Sequence, residues 1–161
     1  MFEKFTEKAI NVVSTSQNLT QELGASKVTP ELLLLALLDE AKGISLKIFK
    51  SYDITKEKLI EEIKKHQYFG KPSDNLSFDN KYKEILKNSL DLANKSGNPT
   101  ILYEHLFLSV LSNSNIITIL ENLHFDIQKS KALLEKLVQK KAKRYHHPEV
   151  DEHKDNRQNQ A

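Results

Sequence analysis

The chain has 161 residues, 24 Lys and Arg against 22 Asp and Glu for a net charge of +2, and no cysteine. That length suits one domain with a core large enough to stand without cross-links. The missing thiols exclude a disulfide framework, a thiolate nucleophile and a cysteine zinc site, and charges of both signs spread along the chain build no strong field for nucleic acid.

The longest apolar run, Leu32 to Leu38, falls far short of the roughly 20 residues that span a bilayer as a helix, and Asp39, Glu40 and Lys42 follow it at once. The opening MFEKFTEKAINVV threads charges through its apolar positions and lacks the basic start, apolar centre and cleavage site of a signal peptide. A soluble, cytoplasmic protein is expected, with neither nucleic acid nor membrane as partner. With only 4 Gly and 4 Pro in the chain, the expected class is all-α.

The elements follow in chain order. Phe2, Phe5, Ala9, Val12, Val13 and Leu19 fall near the three-four spacing of one helix face. Thr6 caps this helix through its hydroxyl and Gly24 ends it in a left-handed turn. Thr29-Pro30-Glu31 opens the next helix, with proline in the first turn and a carboxylate that complements the dipole; this leucine helix runs to about Asp39. A short piece over Ile44 to Phe49 precedes Thr55, which caps a helix reading KEKLIEEIKK. Four helices fill residues 1–66.

The chain then repeats this plan at an offset of 73 residues, which sets Phe5 on Phe78, Lys8 on Lys81, Ser16 on Ser89, Leu19 on Leu92, Gly24 on Gly97 and Glu31 on Glu104. Val12 meets Ile85, Val28 meets Ile101, and Leu33, Leu35 and Leu38 meet Leu106, Leu108 and Leu111. The second copy is two residues shorter thereafter, so Thr55 pairs with Asp126, both cap residues. A period of this size means one supersecondary unit used twice. The expected organisation is a domain over 1–140, with repeat one over 1–66, a connector over 64–77 and repeat two over 78–140, followed by a polar flexible tail over 141–161.

MFEKFTEKA, the Gly24 turn before TPELLLLALL, and the second-copy SGNPTILYEHLFLSVL resemble the two repeats of the Clp N-terminal domain, the module at the front of ClpC-type and ClpB-type unfoldases. The resemblance covers about residues 1–140. It implies a binding module of the Clp unfolding and proteolysis system that receives protein substrates or adaptors and works with a Clp ATPase and protease complex. The family's pattern near each second helix is Thr-Glu-His before leucines; here Pro30-Glu31-Leu32 and Tyr103-Glu104-His105 keep the glutamate in both copies. The nucleotide sites of those unfoldases lie in later domains. No G-x-x-x-x-G-K-[ST] occurs, since Gly70-Lys71 is followed by Pro72. There is likewise no H-E-x-x-H and no nucleophile elbow, so no enzyme activity and no cofactor are expected.

The resemblance also implies a small pocket in each repeat, where a glutamate holds the guanidinium of a phosphorylated arginine and a hydroxyl with backbone amides holds the phosphate. By alignment the first pocket uses Glu31 with Thr6, and the second Glu104 with Asp79. A carboxylate matches a guanidinium, and a helix N-terminus with a hydroxyl welcomes an anion. Asp79 departs from that pattern because its charge repels phosphate, which leaves an unmodified basic side chain as the alternative guest. All four residues also stand where helix starts favour them, so capping alone accounts for each singly. Their pairing across the repeat is what points to a ligand.

His146, His147 and His153, beside Glu149 and Asp151, offer metal-ligand types, but three histidines in a polar segment do not make a site, and no metal is expected. The basic cluster Lys140 to Arg144 reads as a solvated helix end. Two functional readings stand: a substrate- or adaptor-binding module, free-standing or fronting a longer unfoldase, and an accessory regulator or assembly factor that docks on a Clp ATPase or peptidase ring.

Overall fold

The computed structural model describes residues 2–146, with side chains to Arg144. The elements are α1 (Glu7–Leu23), β1 (Lys27–Val28), α2 (Pro30–Asp39), α3 (Ile44–Ser51), α4 (Lys56–Lys64), β2 (Ser77–Phe78), α5 (Asn80–Lys95), α6 (Tyr103–Val110), α7 (Ser114–Asn122) and α8 (Ile127–His146). The fold class is all-α as expected. Helix α8 runs to His146, past residue 140, and the buried stripe of Leu134 and Val138 continues to Ala142. The histidines of the tail lie outside the described side chains.

Local chemistry explains where the helices begin and stop. The hydroxyl of Thr6 accepts the Ala9 N–H at 3.2 Å, and that of Thr55 accepts the Lys58 N–H at 3.2 Å. The carboxylates of Asp79 and Asp126 take the N–H groups of Lys81 and Lys129 at 3.2 and 3.0 Å. Gly24 and Gly97 have φ of +75° and +73°, and Ala25 and Asn98 donate back to Thr20 and Ala93 at 2.9 Å, the closing bonds of matched left-handed turns.

Two side-chain-bearing residues share that strained conformation at matched places, Asp53 (φ 55°) before α4 and His124 (φ 61°) before α8. A left-handed residue with a Cβ costs roughly 1–2 kcal/mol, partly offset by the greater freedom that glycine has when unfolded. His124→Gly is therefore expected to stabilise the fold by about 0.5–1 kcal/mol, read from the midpoint of chemical denaturation; an unchanged or lowered midpoint contradicts this.

The strands are two residues each and parallel, with Lys27 beside Ser77 and Val28 beside Phe78; an isolated parallel bridge joins Phe5 to Ile101. The residues before a helix cap are extended, which lets these short pieces pair, and they are too short to leave a periodic signature. Their partners are informative. Phe5 and Phe78 are equivalent by the repeat, as are Val28 and Ile101, yet each bonds to the other repeat's counterpart. The repeats are interlocked rather than set side by side.

The core lies between α2 and α6. Leu32 to Leu37 are completely buried, and every residue of α6 is buried. A helix apolar all round is a central helix, which explains the leucine run. Two polar bonds cross the junction, the Tyr103 hydroxyl donating to the Leu37 carbonyl and Ser16 and Tyr82 sharing a hydrogen bond of 2.8 Å, while within repeat two Ser109 Oγ donates to the Ile85 carbonyl at 2.8 Å. Burial pushes the Tyr82 phenol up to about 12, the Ser16 bond opposing, so it stays neutral and keeps that bond. Glu62 of α4, 6% exposed, receives Asn122 Nδ2 of α7 at 3.1 Å as well as Lys65 and His66. Burial alone would raise its carboxyl, but those three donors outweigh it and hold the group below the usual carboxylate range.

Candidate functional site

The interlocking decides which of the four expected site residues meet. Thr6 donates its backbone N–H to the Ile101 carbonyl at 3.0 Å, which sets the start of α1 beside the segment entering α6. Asp79 donates to the Val28 carbonyl at 3.0 Å, which sets the start of α5 beside the segment entering α2. The pairing expected from alignment, Thr6 with Glu31 and Asp79 with Glu104, is therefore corrected. The strand exchange carries Thr6 to the Glu104 corner and Asp79 to the Glu31 corner. Offset alone cannot show an exchange between repeats.

Glu104, 4% exposed, accepts the ammonium of Lys141 from α8 at 3.0 Å. Lys8, one turn into α1, lies half-buried over the Tyr103 ring at 4.6 Å from its centre. Burial pushes the Lys8 ammonium down, and the Glu104 charge opposes that shift. His105 is fully buried: its Nδ1 accepts the Leu102 N–H at 2.9 Å, which leaves Nε2–H to donate to Ser96 Oγ at 3.2 Å. Burial drops the imidazole to about 4, with Glu104 opposing and Lys141 assisting, so at neutral pH it is an uncharged cap for α6. This corner thus combines a carboxylate, two lysines, a hydroxyl and the N-terminus of α1.

The Glu31 corner is different. Glu31 is 6% exposed, its carboxylate keeps contact with solvent, and its side chain makes no hydrogen bond or ion pair with any described residue. Thr29 Oγ1 accepts the Leu32 N–H and donates to Gln67 Oε1 at 2.7 Å, so the connector lies against the first turn of α2. Lys81, the counterpart of Lys8, is exposed and pairs with Glu84 at 3.6 Å. The ring that Lys8 rests on is replaced here by Pro30.

Beside these corners is a groove of about 440 Å³ between the N-terminal segment and α5. Phe5, Phe78, Leu86, Leu90 and Ile101 form its floor, and Glu3, Lys4, Lys83 and Lys87 its edge. Both phenylalanines that define the repeat offset, and the bridge partner of one of them, converge on it.

A model of the Clp repeat (R) N-terminal domain matches residues 4–74 and 77–154. The chain belongs to the Clp repeat N-terminal domain family. A ClpA homologue of Guillardia theta, named as an ATP-dependent Clp protease ATP-binding subunit, is 33% identical over 144 residues, 86% of this chain and 17% of that protein. ClpC of Staphylococcus aureus is 30% identical over 143 residues, again 86% of this chain and 17% of its own length. The chain therefore spans about a sixth of the length of the relatives it matches. The N-terminal domain of ClpD from Arabidopsis thaliana superposes with a TM-score of 0.74 at 19% identity, over 86% of this chain and 96% of that one. A ClpV N-domain, solved in complex with a VipB peptide, has a TM-score of 0.62 at 17% identity, over 83% and 88%.

The described residues have the Clp N-domain fold, and no helix among them is long and apolar enough to cross a membrane. Sequence reasoning placed Thr6, Glu31, Asp79 and Glu104 at helix starts, where they are, but missed Lys8, Lys141 and the groove. The signal for Lys141 was present: it shares the helical face of Leu134 and Val138, seven and three residues upstream, so it belonged to the packed side of α8 and not to a solvated end.

Proposed function

We propose that this Clp N-domain receives polypeptide, from protein substrates or adaptor proteins, for a Clp ATPase and protease complex, and performs no reaction on it. The observation that carries this reading is the groove, an apolar floor open to solvent and edged by charged side chains. Its volume suits two or three apolar side chains of an extended or helical segment, and the lysines at its edge suit a segment that also carries carboxylates. The likeness to a ClpV N-domain that holds a peptide is in keeping with this use.

Thr6, Glu31, Asp79 and Glu104 would then read side chains beside the groove. The Glu104 corner has the chemistry for phosphoarginine: the carboxylate for the guanidinium, and Lys8, Thr6 and the α1 N-terminus for the phosphoryl group. Lys141 would have to yield its place.

The test is fluorescence anisotropy with a labelled peptide of mixed Leu, Phe and Asp residues. Leu90→Asp, at a partly buried floor position, is expected to weaken binding at least tenfold while helix content by circular dichroism is unchanged. Equal binding by both proteins contradicts the groove as the receiving surface.

A further inference from the structure

Helix α8 holds seven of the chain's 24 basic residues and one of its 22 acidic ones, so it carries +6 and the rest of the chain −4. Lys141 turns inward to Glu104, but Lys129, Lys136, Lys140 and Lys143 are exposed, and none of their ammonium groups has a hydrogen bond or ion pair with any described residue. With Leu133, 44% exposed, they recur at alternating steps of four and three residues: 129, 133, 136, 140 and 143. At 3.6 residues per turn the four lysines fall within about 60° of arc, opposite the buried Leu134, Val138 and Ala142, in a ridge about 21 Å long. Glu135, the single acid of α8, lies about a quarter-turn aside and lines a cavity with Lys95 of α5. Lys136 and Lys140 stand one turn apart, a like-charge pair that weakens a helix, and no carboxylate on the ridge offsets it.

We propose that this ridge docks an acidic helix of a protein partner, laid along α8 with carboxylates at the same four-three spacing and an apolar residue facing Leu133. Steps of four and three are the seam of two helices packed side by side, filled here by charge where a coiled coil has leucine. A row of lysines without acids selects a row of carboxylates by electrostatic complementarity. A membrane surface fits less well, because the apolar face of α8 is spent on the core and the ridge offers only Leu133 for insertion. Nucleic acid also fits less well: the ridge has no aromatic ring to stack on a base, and a polyanion longer than the ridge meets a chain that is elsewhere net negative. The ridge shares no residue with the groove, so this surface is additional to polypeptide reception there.

The test follows backbone amide shifts of the full chain by NMR during titration with a helical peptide of three heptads, carrying Glu at the seam positions and one central Leu. A permuted peptide of the same composition spreads its glutamates around the helix. The seam peptide is expected to give saturable shifts centred on Lys129, Leu133, Lys136, Lys140 and Lys143, and to bind at least tenfold more tightly than the permuted one. Lys136→Glu with Lys140→Glu should abolish these shifts, its fold checked by the unshifted remainder of the spectrum, and a probe with Lys in place of Glu should bind that variant instead. Equal binding of the two acidic peptides, tighter binding at the ridge by a dT oligonucleotide or by phosphatidylserine vesicles, or no binding at all would each overturn the proposal. So would ridge amides that move before any peptide is added when Glu149→Gln, Asp151→Asn and Glu152→Gln are combined, since the chain's own following segment would then be the occupant. Loss of peptide binding in the groove, with the ridge shifts intact, would instead count against the receiver reading alone.

Discussion

Phe107→Ala is expected to destabilise the domain by roughly 3–5 kcal/mol, the range for removing a fully buried aromatic ring. Phe107 is completely buried in α6 and stacks on Phe49 of α3 at 5.0 Å with the planes 15° apart. Tyr103 meets it edge-on at 6.2 Å, while Phe49 reaches Phe125 at 6.3 Å and Phe125 reaches Tyr52 at 4.8 Å. Three of these rings come from repeat two and two from repeat one, and the Phe107–Phe49 stack joins the two sets, so truncating Phe107 empties the junction itself. The walls are α2 and α6, each packed on all sides, and they have little room to collapse into the space. At roughly 2–4 °C per kcal/mol for a chain of this size the thermal midpoint should fall by about 10 °C. Because the repeats are interlocked, the variant should still unfold in one transition. A loss below about 1 kcal/mol, or two separate transitions, would contradict this account of the core.

Acidification should weaken the fold through His105. Its imidazole titrates near 4 when folded, against 6.5 as its ordinary value, because it is buried and its Nδ1 must stay unprotonated to accept the Leu102 N–H. Between those values the unfolded chain binds the proton and the folded chain does not, so stability falls as pH drops from about 6.5 to 4. The loss from this residue approaches about 2–3 kcal/mol at the bottom of that window. Glu62, held below the usual carboxylate range by its three donors, adds a further loss only when pH falls below its ordinary value of 4.5. Denaturant unfolding at a series of pH values separates the two. His105→Asn should flatten the limb between 6.5 and about 4.5 and leave the lower one. An acid limb in that variant identical to the parent's would contradict the assignment.

Much of this architecture was legible because the physics is local. Thr6, Thr55, Asp79 and Asp126 announce helix starts, Gly24 and Gly97 announce stops, and the 73-residue offset announces two copies. TPELLLLALL was legible as a helix too short for a membrane, and its burial on every side follows from leucines facing all directions. What the pattern could not reveal is which copy each segment pairs with. Phe5 and Phe78 look alike to any alignment, and only the bridges to Ile101 and Val28 show that the copies exchange partners. Because that exchange went unseen, the four residues were placed at the helix starts they occupy but were paired within a repeat, where the backbone bonds set them across. The reading of 140–144 as a basic solvated end missed Lys141 for a different reason: charge was weighed there before helical phase. Phe78, Leu86 and Leu90 were legible as apolar but not as a groove, since a floor open to solvent and a packed core share one periodicity.

The most direct measurement of the central claim is paramagnetic broadening of the backbone amides of this chain by a spin-labelled peptide of mixed Leu, Phe and Asp residues. If the domain receives polypeptide in the groove, broadening should concentrate at Phe5, Phe78, Leu86, Leu90 and Ile101 and vanish when the label is reduced. Broadening centred on another face, such as the outer surfaces of α3 and α7, or none at saturating peptide, would contradict it.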